Sequence, residues 1–234
     1  MMRPSPQTVR RWRAFQRQIE RSGADEYETL LPYRSPMDLR FGGSAPAKLF
    51  YCTKRIFVDT LDERNLIPKD WLVISRFLMP TGEAISAIRH LMRGFRLPLT
   101  FVGDLDPLDL TIFAALRAGS PDFSVPARPL SVGYAGVDDV WLALTERFRT
   151  RPSPVNDQSD LEREHLAILF ELIPDLEMIV GSRCLNLLKA GKKLELEGAY
   201  NPGGYRAEYA GQLTRHLSTR ARKLVRGSPT QSRE

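Results

Sequence analysis

The chain has 234 residues, 42% of them hydrophobic and 26% charged, the balance of a globular protein able to bury a core. That excludes a disordered polymer, and a disulfide-stapled mini-protein is excluded too, because Cys52 and Cys184 stand far apart with no CxxC pairing. The net charge of +6 is concentrated towards the termini, and nucleic acid is the natural polyanionic partner for such an excess.

In chain order, Met1 to Pro6 leads into an arginine-rich stretch without an apolar signal region, and no later apolar run reaches bilayer length. A cytoplasmic protein with no membrane partner is therefore expected. Residues 7–22 place Val9, Trp12, Phe15 and Ile19 at helical spacing among Arg10, Arg11, Arg13, Arg17 and Arg21, which predicts an amphipathic basic helix. A polar, proline-containing connection through Gly42 and Gly43 completes an N-terminal region of residues 1–46.

From 47 to 150 the pattern alternates. Strands are expected at 48–52, 71–75, 99–102 and around 130–134. Helices are expected at 56–66, from an N-cap at Thr81 to Arg93 with a stop at Gly94, at 108–117 closed by Gly119, and at 137–148. Short apolar strands separated by helices require a mostly parallel sheet covered on both faces, so the expected class is a doubly wound α/β core of four strands. Pro152 and Pro154 mark a linker. Residues 151–226 then read as a helical extension packed on the core (161–173, 176–188 and a basic 206–226), with a disordered tail at 227–234.

The most informative residues follow the third strand, as Gly103-Asp104-Leu105-Asp106-Pro107. Asp104 and Asp106 lie at the carboxyl end of a central strand, the edge where open α/β sheets bind ligands. Two carboxylates about 4 Å apart repel by roughly 4 kcal/mol at an effective dielectric near 20, so both stay ionised only beside a cation. Oxygen ligands of this kind suit Mg²⁺ or Mn²⁺. The plainer alternative is that one of them caps the next helix.

The run from Arg96 to Pro107, followed by Ile112 and Arg117-Ala118-Gly119-Ser120, resembles the TOPRIM domain of the topoisomerase VI A subunit and its meiotic double-strand-break relatives. Val132 to Val137 with Asp139, and Lys193-Leu194-Glu195-Leu196-Glu197 read as a C-terminal helix, match further pieces of that pattern in order. The resemblance spans about residues 47–200. It implies a TOPRIM-like fold and a Mg²⁺ or Mn²⁺ site in which Asp104 and Asp106 are metal ligands and catalytic residues. It also implies work on DNA beside a partner protein supplying an ATPase or the nucleophile, and a homodimer is compatible with it.

Three departures stand out. The family's first-strand glutamate falls at Cys52-Thr53-Lys54, where there is no carboxylate; Glu83 or Asp59 is the available substitute. The glycine after Asp-Pro is replaced by Leu108-Asp109. Only about 46 residues precede the first strand, too few for the winged helix that carries the family's tyrosine, so Tyr27 and Tyr33 read as loop residues and independent strand passage is not expected.

Accessory candidates are Thr53, Lys54, Glu83, Glu195 and Glu197. The DNA-binding candidates are Lys193, Arg215, Arg220, Arg222 and Lys223, and a stripe of Tyr209, Leu213, Leu217 and Leu224 would bury the other face of the last helix. His90, His165 and His216 have no ligand-spaced partners and read as surface or core residues. The expected function is Mg²⁺-dependent phosphodiester cleavage, performed or assisted. The alternatives are a degenerate TOPRIM module acting as a DNA-binding or subunit scaffold, and a metal-dependent phosphatase for small substrates.

Overall fold

The computed structural model describes residues 4–22, 37–63, 65–76, 79–123, 128–147, 155–196 and 207–227. In chain order the elements are α1 (Pro6–Ser22), β1 (Asp38–Phe41), β2 (Lys48–Cys52), α2 (Arg55–Glu63), β3 (Trp71–Ser75), α3 (Gly82–Phe95), β4 (Leu99–Val102), α4 (Pro107–Ala118), β5 (Val132–Tyr134) and α5 (Asp139–Arg147). They continue with β6 (Val155–Asp157), α6 (Asp160–Leu172), α7 (Leu176–Val180), α8 (Ser182–Lys189), β7 (Lys192–Leu194) and α9 (Ala207–Gly227).

The result is an α/β protein whose main sheet has five strands in the order β1-β3-β2-β4-β5. β3, β2, β4 and β5 run parallel. Every residue of β2, β3 and β4 is buried, as a sheet covered on both faces demands.

The fifth strand corrects the expectation of four. β1 pairs antiparallel with β3, inside the stretch read as a connection. Its alternation of polar and apolar residues, half-buried then exposed, is that of an edge strand and carries none of the continuous apolar signal of the central strands.

Helix boundaries follow local chemistry. Thr81 caps α3 by accepting from Ala84 N–H, and Gly119 closes α4 in the left-handed conformation at φ 71°. Gly94 does not stop α3. The helix runs on to Phe95, and Arg96 takes the left-handed position at φ 55°.

Two strands replace expected linker and helix. β6 and β7 form an antiparallel pair, and Leu105, in the loop after β4, bridges to Leu194 of β7. The stretch 193–197 was expected as a helix, but its described part, 193–196, begins as the last two residues of β7.

Two long helices close the molecule. α1 docks through Trp12 and Phe15, both buried against His165 of α6 and, for Trp12, Phe123. α9 lies on the sheet with Leu217 and Ala221 buried, and a Cβ on Gly133 of β5 would sit 2.1 Å from Leu224 Cδ1. Leu217 and Leu224 thus belong to the expected stripe, while the side chains of Tyr209 and Leu213 lie outside the described residues.

Candidate metal centre

The chain passes from β2 to β3 on one side and crosses to β4 on the other, so the switch point of the sheet lies between β2 and β4. Thr53 and Lys54 leave the carboxyl end of β2, and Gly103 to Asp106 leave that of β4. The two segments face one another, Thr53 N–H donating to Val102 O at 3.4 Å.

Asp104, Asp106 and Asp109 converge here, one carboxylate oxygen of each lying within 4.8 Å of the others. Each is held by a defined local device. Asp106 is the N-cap of α4, Oδ1 accepting Asp109 N–H at 2.7 Å, and Pro107 takes the first helical position. Asp109, in the first turn, turns back so that Oδ2 accepts both the Asp104 N–H and the Thr53 hydroxyl at 2.7 Å. Asp104 is fully buried. Its Oδ1 accepts Leu196 N–H at 2.7 Å, and its Oδ2 faces Lys54 Nζ at 2.5 Å.

Gly103 makes the close approach feasible, since a Cβ there would meet Asp109 Oδ2 at 2.7 Å. The Tyr134 hydroxyl braces the turn from β5, reaching Asp104 O at 3.3 Å and Val137 O at 3.2 Å.

Burial, then mutual repulsion, pushes these carboxyls up: Asp104 and Asp106 to about 7, and Asp109 to about 6, against the Lys54 ammonium that pulls each of them down. Lys54 is raised in turn, because its attraction to Asp104, Asp109 and Asp106 outweighs the burial that disfavours its charge. One ammonium among three carboxyl groups leaves negative charge to be neutralised by a proton or another cation.

The donor set suits a hard divalent ion. Asp106 Oδ2 and Asp109 Oδ1 make no hydrogen bond among the described residues, and Asp104 Oδ2 is shared with Lys54 alone. These oxygens, with a third released if Lys54 withdraws, could hold a metal ion through oxygen ligands.

Asp104 and Asp106 thus come together with Thr53 and Lys54, while Asp106 is at the same time the helix cap of the plainer reading. Asp109 was missed, although an Asp three residues after an Asx N-cap is a recognisable helix-start pattern. Glu83, exposed in the first turn of α3, is not in the cluster. Glu195 instead accepts from Asn156 Nδ2 at 3.0 Å. Glu197 lies outside the described residues. Asp59 pairs with Arg40 and Arg55.

Two of the basic candidates are committed internally. Lys193 Nζ is 2.9 Å from Oε1 of buried Glu162, and Arg220 pairs with buried Asp138, which His216 also faces at 3.7 Å. Lys193 and Arg220 thus have acidic partners within the chain, whereas Arg215, Arg222 and Lys223 are exposed on α9. His165 is a core residue, 2.8 Å from the Thr111 hydroxyl, and burial lowers its pKa to about 3. No helix among the described residues is long and apolar enough to cross a membrane.

No protein-family model matches the chain, and no curated protein matches it. The functional reading therefore rests on the site.

Proposed function

We propose that the chain is a DNA-processing protein whose TOPRIM-like site uses Asp104, Asp106 and Asp109 to hold Mg²⁺ or Mn²⁺ and performs or assists phosphodiester cleavage, with a partner subunit. The observation that carries this reading is the convergence of three carboxylates at the sheet's switch point, two of them with an oxygen that makes no hydrogen bond among the described residues. A bound cation would orient a phosphodiester and offset charge on its oxygens. The chain's own groups would fix the carboxylates: Thr53 and the Asp104 N–H hold Asp109, and Leu196 N–H holds Asp104. The exposed Arg215, Arg222 and Lys223 supply a sequence-indifferent, salt-sensitive contact with the DNA backbone.

Lys54 supports a second reading. The resembling family's first-strand glutamate falls at Cys52-Thr53-Lys54, where no carboxylate stands and the Lys54 ammonium already neutralises Asp104; a module that binds DNA or a subunit without chemistry fits that loss. Plasmid nicking in Mg²⁺ and in Mn²⁺, with Asp104→Asn and Asp109→Asn compared with the native chain, separates the two. Nicking abolished by either change supports the enzyme. DNA binding that ignores chelator, with no nicking, supports the scaffold.

A further inference from the structure

The outer edge of β1 carries a separate message. Gly42 N–H donates to Trp71 O at 3.0 Å, and in the antiparallel register of β1 with β3 this makes Phe41 and Leu39 non-hydrogen-bonded positions, so their own N–H and C=O groups point away from the sheet. No partner takes them among the described residues. The side chains on the same two residues are also unusually bare for their type, Leu39 37% and Phe41 54% exposed. Edge strands are normally blunted by charge, proline or a bulge; this one carries Asp38 and Arg40 on the face towards α2 and presents apolar Leu39 and Phe41 on the other, beside open backbone groups.

The sequence of the strand selects its partner. In an antiparallel pairing of Asp38-Leu39-Arg40-Phe41 with itself, only registers that place outward-facing residues opposite one another satisfy the ladder. Setting Leu39 opposite Leu39 does so, and it brings Phe41 opposite Met37. The same register sets Asp38 across from Arg40 twice, at the closer non-hydrogen-bonded positions. Shifting by two residues so that Leu39 meets Phe41 would oppose Arg40 to Arg40. The strand is therefore complementary to itself in one register, the requirement of a two-fold interface.

On the other face Asp38 reaches Arg55 at 3.7 Å and Arg40 reaches Asp62 at 3.1 Å and Asp59 at 3.7 Å. These are solvent-exposed pairs on α2, and a second copy extends them into an alternating array without burying a lone charge.

We infer that two copies of this chain associate through β1, continuing the sheet across a two-fold axis at Leu39. The inference does not depend on the acidic site. Sedimentation of the purified full chain should give twice the 26.6 kDa of one copy. Asp38→Arg alone and Arg40→Asp alone each oppose like charges and should shift the dimer to monomer by tenfold or more in dissociation constant, and the double exchange should restore it. Circular dichroism of all three variants checks that the fold persists.

A cysteine test fixes the register. Leu39→Cys places two thiols on the axis with Cα atoms about 5.5 Å apart, inside the disulfide range of about 4.4–6.8 Å, and should cross-link on mild oxidation. Phe41→Cys leaves its two copies about 13 Å apart along the strands and should not. The native thiols, Cys52 and Cys184, are buried, so the background is low. A monomer at every soluble concentration overturns the inference. So does a dimer indifferent to the charge exchanges, or one that cross-links through Phe41→Cys and not Leu39→Cys.

Discussion

Replacing Lys54 by methionine separates a cation site from a purely structural turn. The ammonium stands 2.5 Å from Asp104 Oδ2 and acts on all three carboxyls. Opposite charges about 4 Å apart attract by roughly 4 kcal/mol at an effective dielectric near 20, and removing one partner of a buried pair leaves the other charge uncompensated. The loss in metal-free buffer should be about 3 kcal/mol, at the low end of the range for buried pairs, because Lys54 keeps some contact with water. For a chain of this size that lowers the melting temperature by about 6–12 °C.

Magnesium at a hundred times its dissociation constant contributes about 2.7 kcal/mol and should recover most of the loss. The native chain, in which the ion must displace the ammonium from Asp104, should gain less. Differential scanning calorimetry of both proteins, in chelator and in Mg²⁺, reads all four values. A Lys54→Met chain that is as stable as the native one without metal, or that gains no more from Mg²⁺, would refute the idea that these carboxylates await a cation.

Asp106→Asn keeps a capping oxygen on α4 and should leave urea stability nearly unchanged, whereas Asp106→Ala should cost about 1 kcal/mol; both should weaken Mn²⁺ binding measured by electron paramagnetic resonance. The raised carboxyls bind protons more tightly in the folded than in the unfolded chain, so their contribution to metal-free stability should be fully present below the ordinary 3.8 and be lost as pH rises through about 7. Saturating Mg²⁺ should flatten that slope, and a metal-free stability that rises over the same interval would contradict the shifts. Gly133→Ala, whose Cβ meets Leu224 of α9, should destabilise by about 1–3 kcal/mol through overpacking, seen as a lower urea midpoint.

The central strands were legible because their physics is local: a run such as Trp71-Leu72-Val73-Ile74-Ser75 has no polar alternation and no place except the middle of a covered sheet. Asp104 and Asp106 were legible for the same reason, being the first carboxylates after such a run. β1 escaped because a four-residue edge strand with polar alternation resembles a loop until its partner is known. Lys193-Leu194-Glu195 reads as helix from the sequence alone because its strand character comes from Asn156 and Leu105, residues distant in sequence. Asp109 shows the same limit from another side: its place in the helix start is local, but its turn towards Asp104 and Thr53 depends on β2 and β4 being neighbours.

The bond from Leu196 N–H to Asp104, together with the paired hydrogen bonds of Leu105 and Leu194 at 3.0 and 3.1 Å, ties the acidic turn to a segment about ninety positions later in the chain. An excised fragment stopping near residue 150 would keep every strand of the main sheet yet lose the latch that orients its deepest carboxylate. The site is therefore not portable: whatever it does, it does as the joint product of both halves of the polypeptide.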